Sequence, residues 1–378
     1  MNAQMPAAGA AASQAPPPEP NNTLRTLAPF RQGKSRIAGH DSPIKLSANE
    51  SPHGPSPLAI EAYKRCASVL YRYPDGSQAE LCQAIAETFR LCVDNIVCGN
   101  GSDELQQLLI RAYVRPGDEV VFSQHSFAMA MVHATAQGAR LVFAEEPDLR
   151  PDADSLLKAV TPKTRMVVLA TPNNPVGRYI SRDELWRLYR ALPSHVVLLI
   201  DSAYADYVDA PDFEAGAALV EAGQNAVMTR TFSKLYGLAG LRIGWAYAPA
   251  NIIDSIQRIR TPFNASIDAM AAAVAAVRDV AYSRHVRDYN RLQLTRIQQG
   301  VTTGPAGMEF VSSSANFYLL RFVDGVHTAA GAAAALETNG IIPRPVGDSG
   351  PQNCLRITVG LEHENDAVLR VLGAYMMS

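Results

Sequence analysis

Between Leu58 and Pro262 the chain repeats one pattern, a strand-length apolar run followed by a helical stretch. The runs are Asn95-Ile-Val-Cys98, Glu119-Val-Val-Phe122, Arg140-Leu-Val-Phe143, Met166-Val-Val-Leu-Ala170, Val196-Val-Leu-Leu-Ile200, Ala226-Val-Met-Thr229 and Ile243-Gly-Trp-Ala246. Helical patterns such as Glu104–Val114 and Arg182–Ala191 lie between them. Strands that are apolar on both faces must be covered on both, and helices supply the crossovers that parallel strands need. The expectation is an α/β fold: a large domain with a mostly parallel central sheet covered by helices. After Pro262 an Ala-rich helical region (Ile267–Gln299) precedes the strand Asn316–Phe322, the helix Ala329–Thr338 and the strand Cys354–Val359, which predicts a smaller α+β C-terminal domain.

The rest of the chain divides by composition. Residues 1–22 are rich in Ala and Pro with Glu19 as their only charge, so a disordered tail is expected there. Prolines 29, 43, 52, 55 and 57 punctuate residues 23–57, the pattern of an extended arm lying on other structure. The expected division is thus tail 1–22, arm 23–57, large domain 58–262 and small domain 263–378. Over the 378 residues, 34 basic and 36 acidic side chains leave a net charge of −2, with no basic field for nucleic acid. No apolar run approaches the length of a membrane span, and no signal peptide is recognisable. Five cysteines without a C-x-x-C pair predict reduced thiols in a cytoplasmic protein. No H-E-x-x-H occurs among the eight histidines, so no metal site is expected.

Four segments carry chemistry. Gly99-Asn-Gly-Ser-Asp-Glu104 joins a strand to a helix; it is either an anion site built on backbone N–H groups or a plain turn capped by Ser102 or Asp103. Glu104 stands where a dinucleotide fingerprint needs its third glycine, which excludes that motif. Asp201 follows an apolar strand, at the sheet edge where ligands bind, as a helix cap or as the partner of a cation, with Tyr204 three residues on. Lys234 has Phe232, Leu235 and Leu238 around it, company in which a lysine can lose its proton and form a Schiff base, although a surface lysine fits the same spacing. Ser233 and Arg242 beside it suit a phosphate. Thr171-Pro-Asn-Asn-Pro-Val-Gly177 is a proline-fixed turn that could present the Asn174 amide. Together these parts match what pyridoxal phosphate requires.

These residues also carry a resemblance. The chain resembles the fold-type I pyridoxal-phosphate enzymes, and among them the histidinol-phosphate aminotransferases, through Leu46-Ser-Ala-Asn-Glu50, Tyr71-Arg-Tyr-Pro-Asp75, the Gly99 turn, Thr171–Gly177, Asp201-Ser-Ala-Tyr204, Phe232–Gly244 and Cys354–Gly360, in the family's order. The resemblance implies that Lys234 carries the cofactor and moves the proton, that Asp201 pairs with its ring nitrogen, and that Tyr204 and Asn174 bond its ring oxygen. It implies a phosphate held by Gly101, Ser102, Asp103, Ser233 and Arg242, and a ring face covered by Phe127, where the family's usual residue is tyrosine. Tyr73 would reach the phosphate of a neighbouring subunit, making a homodimer with shared active sites. Arg356, with Arg344 and Asn174, would bind the substrate anion, and Phe30 in the arm stands where the family often has a substrate-contacting tyrosine. Ser202 replaces the family's usual glutamate. The implied activity is transfer of the amino group of L-histidinol phosphate to 2-oxoglutarate, a ping-pong cycle through pyridoxamine phosphate in histidine biosynthesis. An aromatic amino-acid aminotransferase and a phosphothreonine-type decarboxylase are the alternatives.

Overall fold

A computed structural model of the chain describes residues 18–29, 33–347 and 350–378. Phe30 and the first 17 residues of the expected tail lie outside the described residues. The chain begins with a short 3-10 helix, Asn22–Thr26, followed by β1 (Ile44–Lys45), α1 (Pro57–Arg65), α2 (Ala79–Phe89), β2 (Ile96–Gly99) and α3 (Ser102–Tyr113). Next come β3 (Glu119–Ser123), α4 (Ala128–Ala136), β4 (Arg140–Ala144), α5 (Ala153–Ala159), β5 (Thr164–Ala170), α6 (Arg182–Ala191) and β6 (Val197–Asp201). The large sheet is completed through α7 (Ala217–Ala222), β7 (Ala226–Thr231), β8 (Gly244–Tyr247) and α8 (Ala250–Ile259). The remainder is α9 (Ile267–Arg278), α10 (Val280–Thr302), β9 (Met308–Val311), β10 (Phe317–Phe322), α11 (Ala329–Thr338), β11 (Ile341–Ile342), β12 (Arg344–Pro345), β13 (Cys354–Thr358) and α12 (Glu362–Tyr375).

Seven strands form the large sheet in the order β2-β8-β7-β6-β5-β3-β4. All run in one direction except β8, which pairs antiparallel with β7 and with β2. Strand alternation sends Val167, Leu169, Leu198 and Ile200 to one face, under α2, α6 and α9. Met166, Val168, Val197 and Leu199 point to the other, under α3 and α8. The order of connections reverses between β3 and β5, because β3 leads outward to β4 and the chain then returns through β5 to β6. Ligand crevices open at such reversals, beyond the carboxyl ends of the strands. There lie the loops 124–127, 171–177 and 202–204.

The Ala-rich region expected as one helical stretch is two helices that meet at Asp279. Asp279 has ψ 68°, outside the helical range, and its carboxylate accepts the Tyr282 N–H (3.1 Å), capping α10. The alanines 269, 272, 273 and 276 let α9 pack closely on the large core, so that core continues past Pro262. Helix α10 then crosses to the small domain, with Val286 in the large core and Ile297 and Val301 in the small one. The small domain is an antiparallel sheet, β12-β13-β10-β9, backed by α10, α11 and α12. The arm attaches to it, since β1 pairs in parallel with β11. All five cysteines are free thiols.

Gly244 opens β8 with backbone on every side. A Cβ there would fall inside contact distance of the Ser102 nitrogen and lie 2.8 Å from the Arg230 carbonyl oxygen. Neither group is a side chain that can swing away. Gly244→Ala is expected to lower unfolding stability by about 1–3 kcal/mol, the cost of overpacking, as read from urea denaturation. Unchanged stability would mean that the turn at Gly101 is not wedged against β8.

Candidate active site

The turn between β2 and α3 meets the segment 233–244 at the end of the sheet. Gly101 (φ +82°) is the residue that precedes α3, and no side chain caps the helix, so Ser102 and Asp103 are its first helical residues rather than its cap. Glu104 instead accepts the Asn100 N–H (2.6 Å) and the Asn264 amide (2.8 Å). A Cβ on Gly101 would sit 2.5 Å from Nη2 of Arg242. That guanidinium also donates to Ser233 Oγ (3.1 Å) and to the Ala239 carbonyl (3.2 Å). A helix N-terminus, a hydroxyl and a guanidinium therefore converge on a concavity that any side chain at residue 101 would fill. This donor set fits a phosphate.

A second group lies deeper. Lys234 Nζ donates to the Ala48 carbonyl of the arm (3.1 Å) and lies 5.7 Å from the centre of the Tyr204 ring. Desolvation, then the positive charge of Arg356 and more weakly that of Arg242, push its pKa down to about 8; Glu50 and Asp201 oppose them. Asp201, at the end of β6, is pushed up to about 6 by burial, while hydrogen bonds from Gln106 and the Ala203 N–H (3.3 Å) favour its charged form. Asp103 adds repulsion to it, and its own carboxylate pairs with His133 Nε2 at 3.2 Å. The Tyr204 hydroxyl accepts from the side-chain amides of Asn49 (2.9 Å) and Asn174 (3.4 Å).

The small domain supplies the remaining charge. Arg356 on β13 donates to Asn174 Oδ1 and to the Ser47 carbonyl, each at 2.6 Å, with its carbon 5.3 Å from the centre of the Phe317 ring. Its Nε is buried without a partner, and burial lowers its pKa to about 10. Arg344 stands directly opposite it on β12. Arm, large domain and small domain thus meet at Asn174, Tyr204, Lys234 and Arg356.

Two expected residues are at more exposed positions. Phe127 is a partly exposed residue at the start of α4, on the loop after β3. Tyr73 is exposed and stacks on Phe263, with ring centres 4.7 Å apart. Two residues are here that motif reasoning passed over. Asn49 (φ +56°) holds Tyr204, and Gln106 holds Asp201 from the otherwise apolar inner face of α3. A buried-side polar residue among Leu105, Leu108 and Leu109 was the available signal for Gln106. Asn49 had none beyond its place in a quoted motif. Ser202, at the family's glutamate position, donates to the Ala215 carbonyl (2.6 Å).

The sequence pattern of the family Aminotransferase class I and II matches residues 41–372, and the chain belongs to that family. It is an aminotransferase by that membership. Within the family, it is 44% identical to the histidinol-phosphate aminotransferase of Rhodopseudomonas palustris (strain BisB5) over 361 residues, 95% of this chain and 98% of the relative. The histidinol-phosphate aminotransferase of Paramagnetospirillum magneticum is also 44% identical, over 95% of this chain and 99% of its own length. Among solved structures, the histidinol-phosphate aminotransferase of Sinorhizobium meliloti in complex with pyridoxal-5′-phosphate superposes with a TM-score of 0.84 at 28% identity, covering 94% of this chain and 97% of that one.

The depressed lysine gives a direct prediction. In the cofactor-free chain, the rate of Lys234 modification by an amine-specific reagent should rise with pH around a midpoint near 8, because only the unprotonated amine reacts. Arg356→Met removes the largest charge that disfavours the ammonium and should move the midpoint upward. A midpoint in the ordinary range near 10.4 in the wild type would contradict the site electrostatics.

Proposed function

We propose that this chain transfers the amino group of L-histidinol phosphate to 2-oxoglutarate in a ping-pong cycle, with pyridoxal phosphate as cofactor. The donor and the cofactor follow from what the relatives are named for and bind. The observation that carries the reading is Arg356, a buried guanidinium with an unpartnered Nε beside Lys234, because a buried donor of that kind calls for an anion.

Bound pyridoxal phosphate supplies an aldehyde that exchanges amines and a ring that accepts electrons from the substrate's Cα. The chain's residues divide the remaining work. Arg242, Ser233 and the first N–H groups of α3 at Ser102 and Asp103, with Gly101 leaving the space, hold the phosphate. Asp201 keeps a proton on the ring nitrogen; a bound pyridinium would favour its charged form and offset the burial that raises its pKa. Tyr204 and Asn174 donate to the ring oxygen, and Asn49 fixes the tyrosine hydroxyl. With a pKa near 8, roughly a tenth of Lys234 is a free amine at pH 7, about two hundred times the fraction for an ordinary lysine. Its free amine is the group that would hold the cofactor covalently and move the Cα proton.

One anion pocket must serve two substrates, a phosphate monoester and the distal carboxylate of glutamate. Arg356 and Arg344 face each other across β12 and β13, and a guanidinium accepts either group in a two-bond geometry. Phe127, before α4, would cover one face of the cofactor ring. The exposed aromatic and aliphatic surface at Tyr63, Leu70, Tyr71, Tyr73 and Phe263 suits a second copy of the chain, with Tyr73 reaching that copy's phosphate site. Phe30, in the arm 23–57, is the residue proposed to contact the substrate. No helix among the described residues is long and apolar enough to cross a membrane, and the cytoplasm is the proposed compartment.

A half-reaction tests this. Histidinol phosphate added to the cofactor-loaded protein should convert the bound cofactor to its aminated form, seen as loss of the visible absorbance band, and 2-oxoglutarate should restore the band. Conversion by phenylalanine but not by histidinol phosphate would overturn the proposed donor. Release of carbon dioxide from phosphothreonine would overturn the reaction class.

A further inference from the structure

Three adjacent parallel strands, β4, β3 and β5, end on one buried side-chain pair that the chemistry above does not use. Glu146, two residues past β4, is 7% exposed. Its Oε1 accepts from Asn173 Nδ2 at 2.8 Å. Asn173 follows β5, and its amide also donates to the carbonyl of His125, after β3, at 2.6 Å. The remaining oxygens of the pair, Glu146 Oε2 and Asn173 Oδ1, are both buried without a partner. Two acceptors cannot satisfy each other. A carboxylate would leave both unpaired, each desolvated with no hydrogen bond to offset it. A proton on Oε2 would turn one of the two orphaned acceptors into a donor for the other, while the amide keeps its bond to Oε1.

We propose that Glu146 is a positioning residue: as a neutral carboxylic acid it closes a two-bond pair with the Asn173 carboxamide and ties together the loops after β3, β4 and β5 at the rim of the cofactor pocket. What those loops hold rests on the pyridoxal-phosphate reading. Asn174 is the next residue and bonds Arg356 and Tyr204, while Phe127 lies two residues beyond the tied His125 carbonyl. The backbone of the turn is locked as well, with the Asn173 N–H on the Arg178 carbonyl and the Gly177 N–H on the Asn173 carbonyl, each at 2.7 Å. Burial raises the Glu146 pKa to about 8; the nearby His125 N–H, Ser123 hydroxyl and Asn173 amide favour the carboxylate but are all neutral, and none of them comes within hydrogen-bond geometry of Oε2. The other titratable side chains on the three loops are His125, Glu145, Asp148, Arg150, Asp152, Arg178 and Tyr179; Arg178 is turned onto the Asp148 carbonyl (2.7 Å), Arg150 onto Glu184 (2.6 Å) and Tyr179 onto Asp212 (2.9 Å).

Glu146→Gln mimics the neutral acid and leaves those groups in place, whereas Glu146→Met keeps volume and removes the pair. The infrared difference between wild-type and Glu146→Gln full-length protein at pH 7 should contain a protonated carboxyl band that disappears as pH rises through about 8. A folded pKa above the unfolded one means a stability contribution present at low pH and lost on raising it. The wild type should therefore lose melting temperature relative to Glu146→Gln between about pH 5 and pH 8. Glu146→Met should weaken pyridoxal-phosphate affinity about tenfold, the equivalent of one lost hydrogen bond near 1.4 kcal/mol, and Glu146→Gln should restore it. A carboxylate signal at pH 7, a parallel pH profile for the two proteins, or a glutamine variant as weak as the methionine one would each overturn the proposal. The band and the pH slope do not depend on transamination, so an error in the functional reading would leave both intact.

Discussion

The site turns on one electrostatic conflict, a lysine held in a desolvated crevice with a buried arginine nearby. Burial and Arg356 lower the Lys234 pKa to about 8, while Asp201 and Glu50 pull the other way without prevailing. An ammonium in such a place is costly, and losing its proton relieves the cost. The same burial raises Asp201 to about 6, still low enough to keep most of its charge at neutral pH. The crevice thereby holds an amine shifted down and a carboxylate shifted up, a combination of shifted groups that marks catalytic centres.

That conflict can exist only where several parts of the chain close together. The parallel sheet brings Asp201 and the 171–177 turn to one edge, and the antiparallel return of β8 presses Gly244 onto the start of α3. The arm contributes the Ala48 carbonyl, the Ser47 carbonyl and Asn49, and β13 contributes Arg356. Arg356 is the link between domains, since its two hydrogen bonds go to the large domain's Asn174 and the arm's Ser47. A shift of the small domain would therefore move the charge that sets the lysine's basicity.

Much of this was legible in the sequence for physical reasons. Strands buried on both faces must be apolar at nearly every position, so β3, β5 and β6 announce themselves. Gly101 and Gly244 were visible as motif glycines, and close packing explains both. The direction of β8 was not legible, because the wrap from Thr231 to Gly244 carries no periodic signal. Nor was the break at Asp279, where a capping side chain interrupts a long run that contains no glycine or proline to mark a helix end. Long-range partners such as Asn49 for Tyr204, or Glu146 for Asn173, depend on tertiary closure that local pattern does not encode.

The central claim, that Lys234 is the amine made reactive by its surroundings, is most directly tested by reducing the protein with borohydride in the presence of pyridoxal phosphate and mapping the modified peptide by mass spectrometry. The account predicts a single pyridoxyl adduct on Lys234, absent from Lys234→Ala. An adduct on another lysine, or equal labelling in the Lys234→Ala protein, would contradict it.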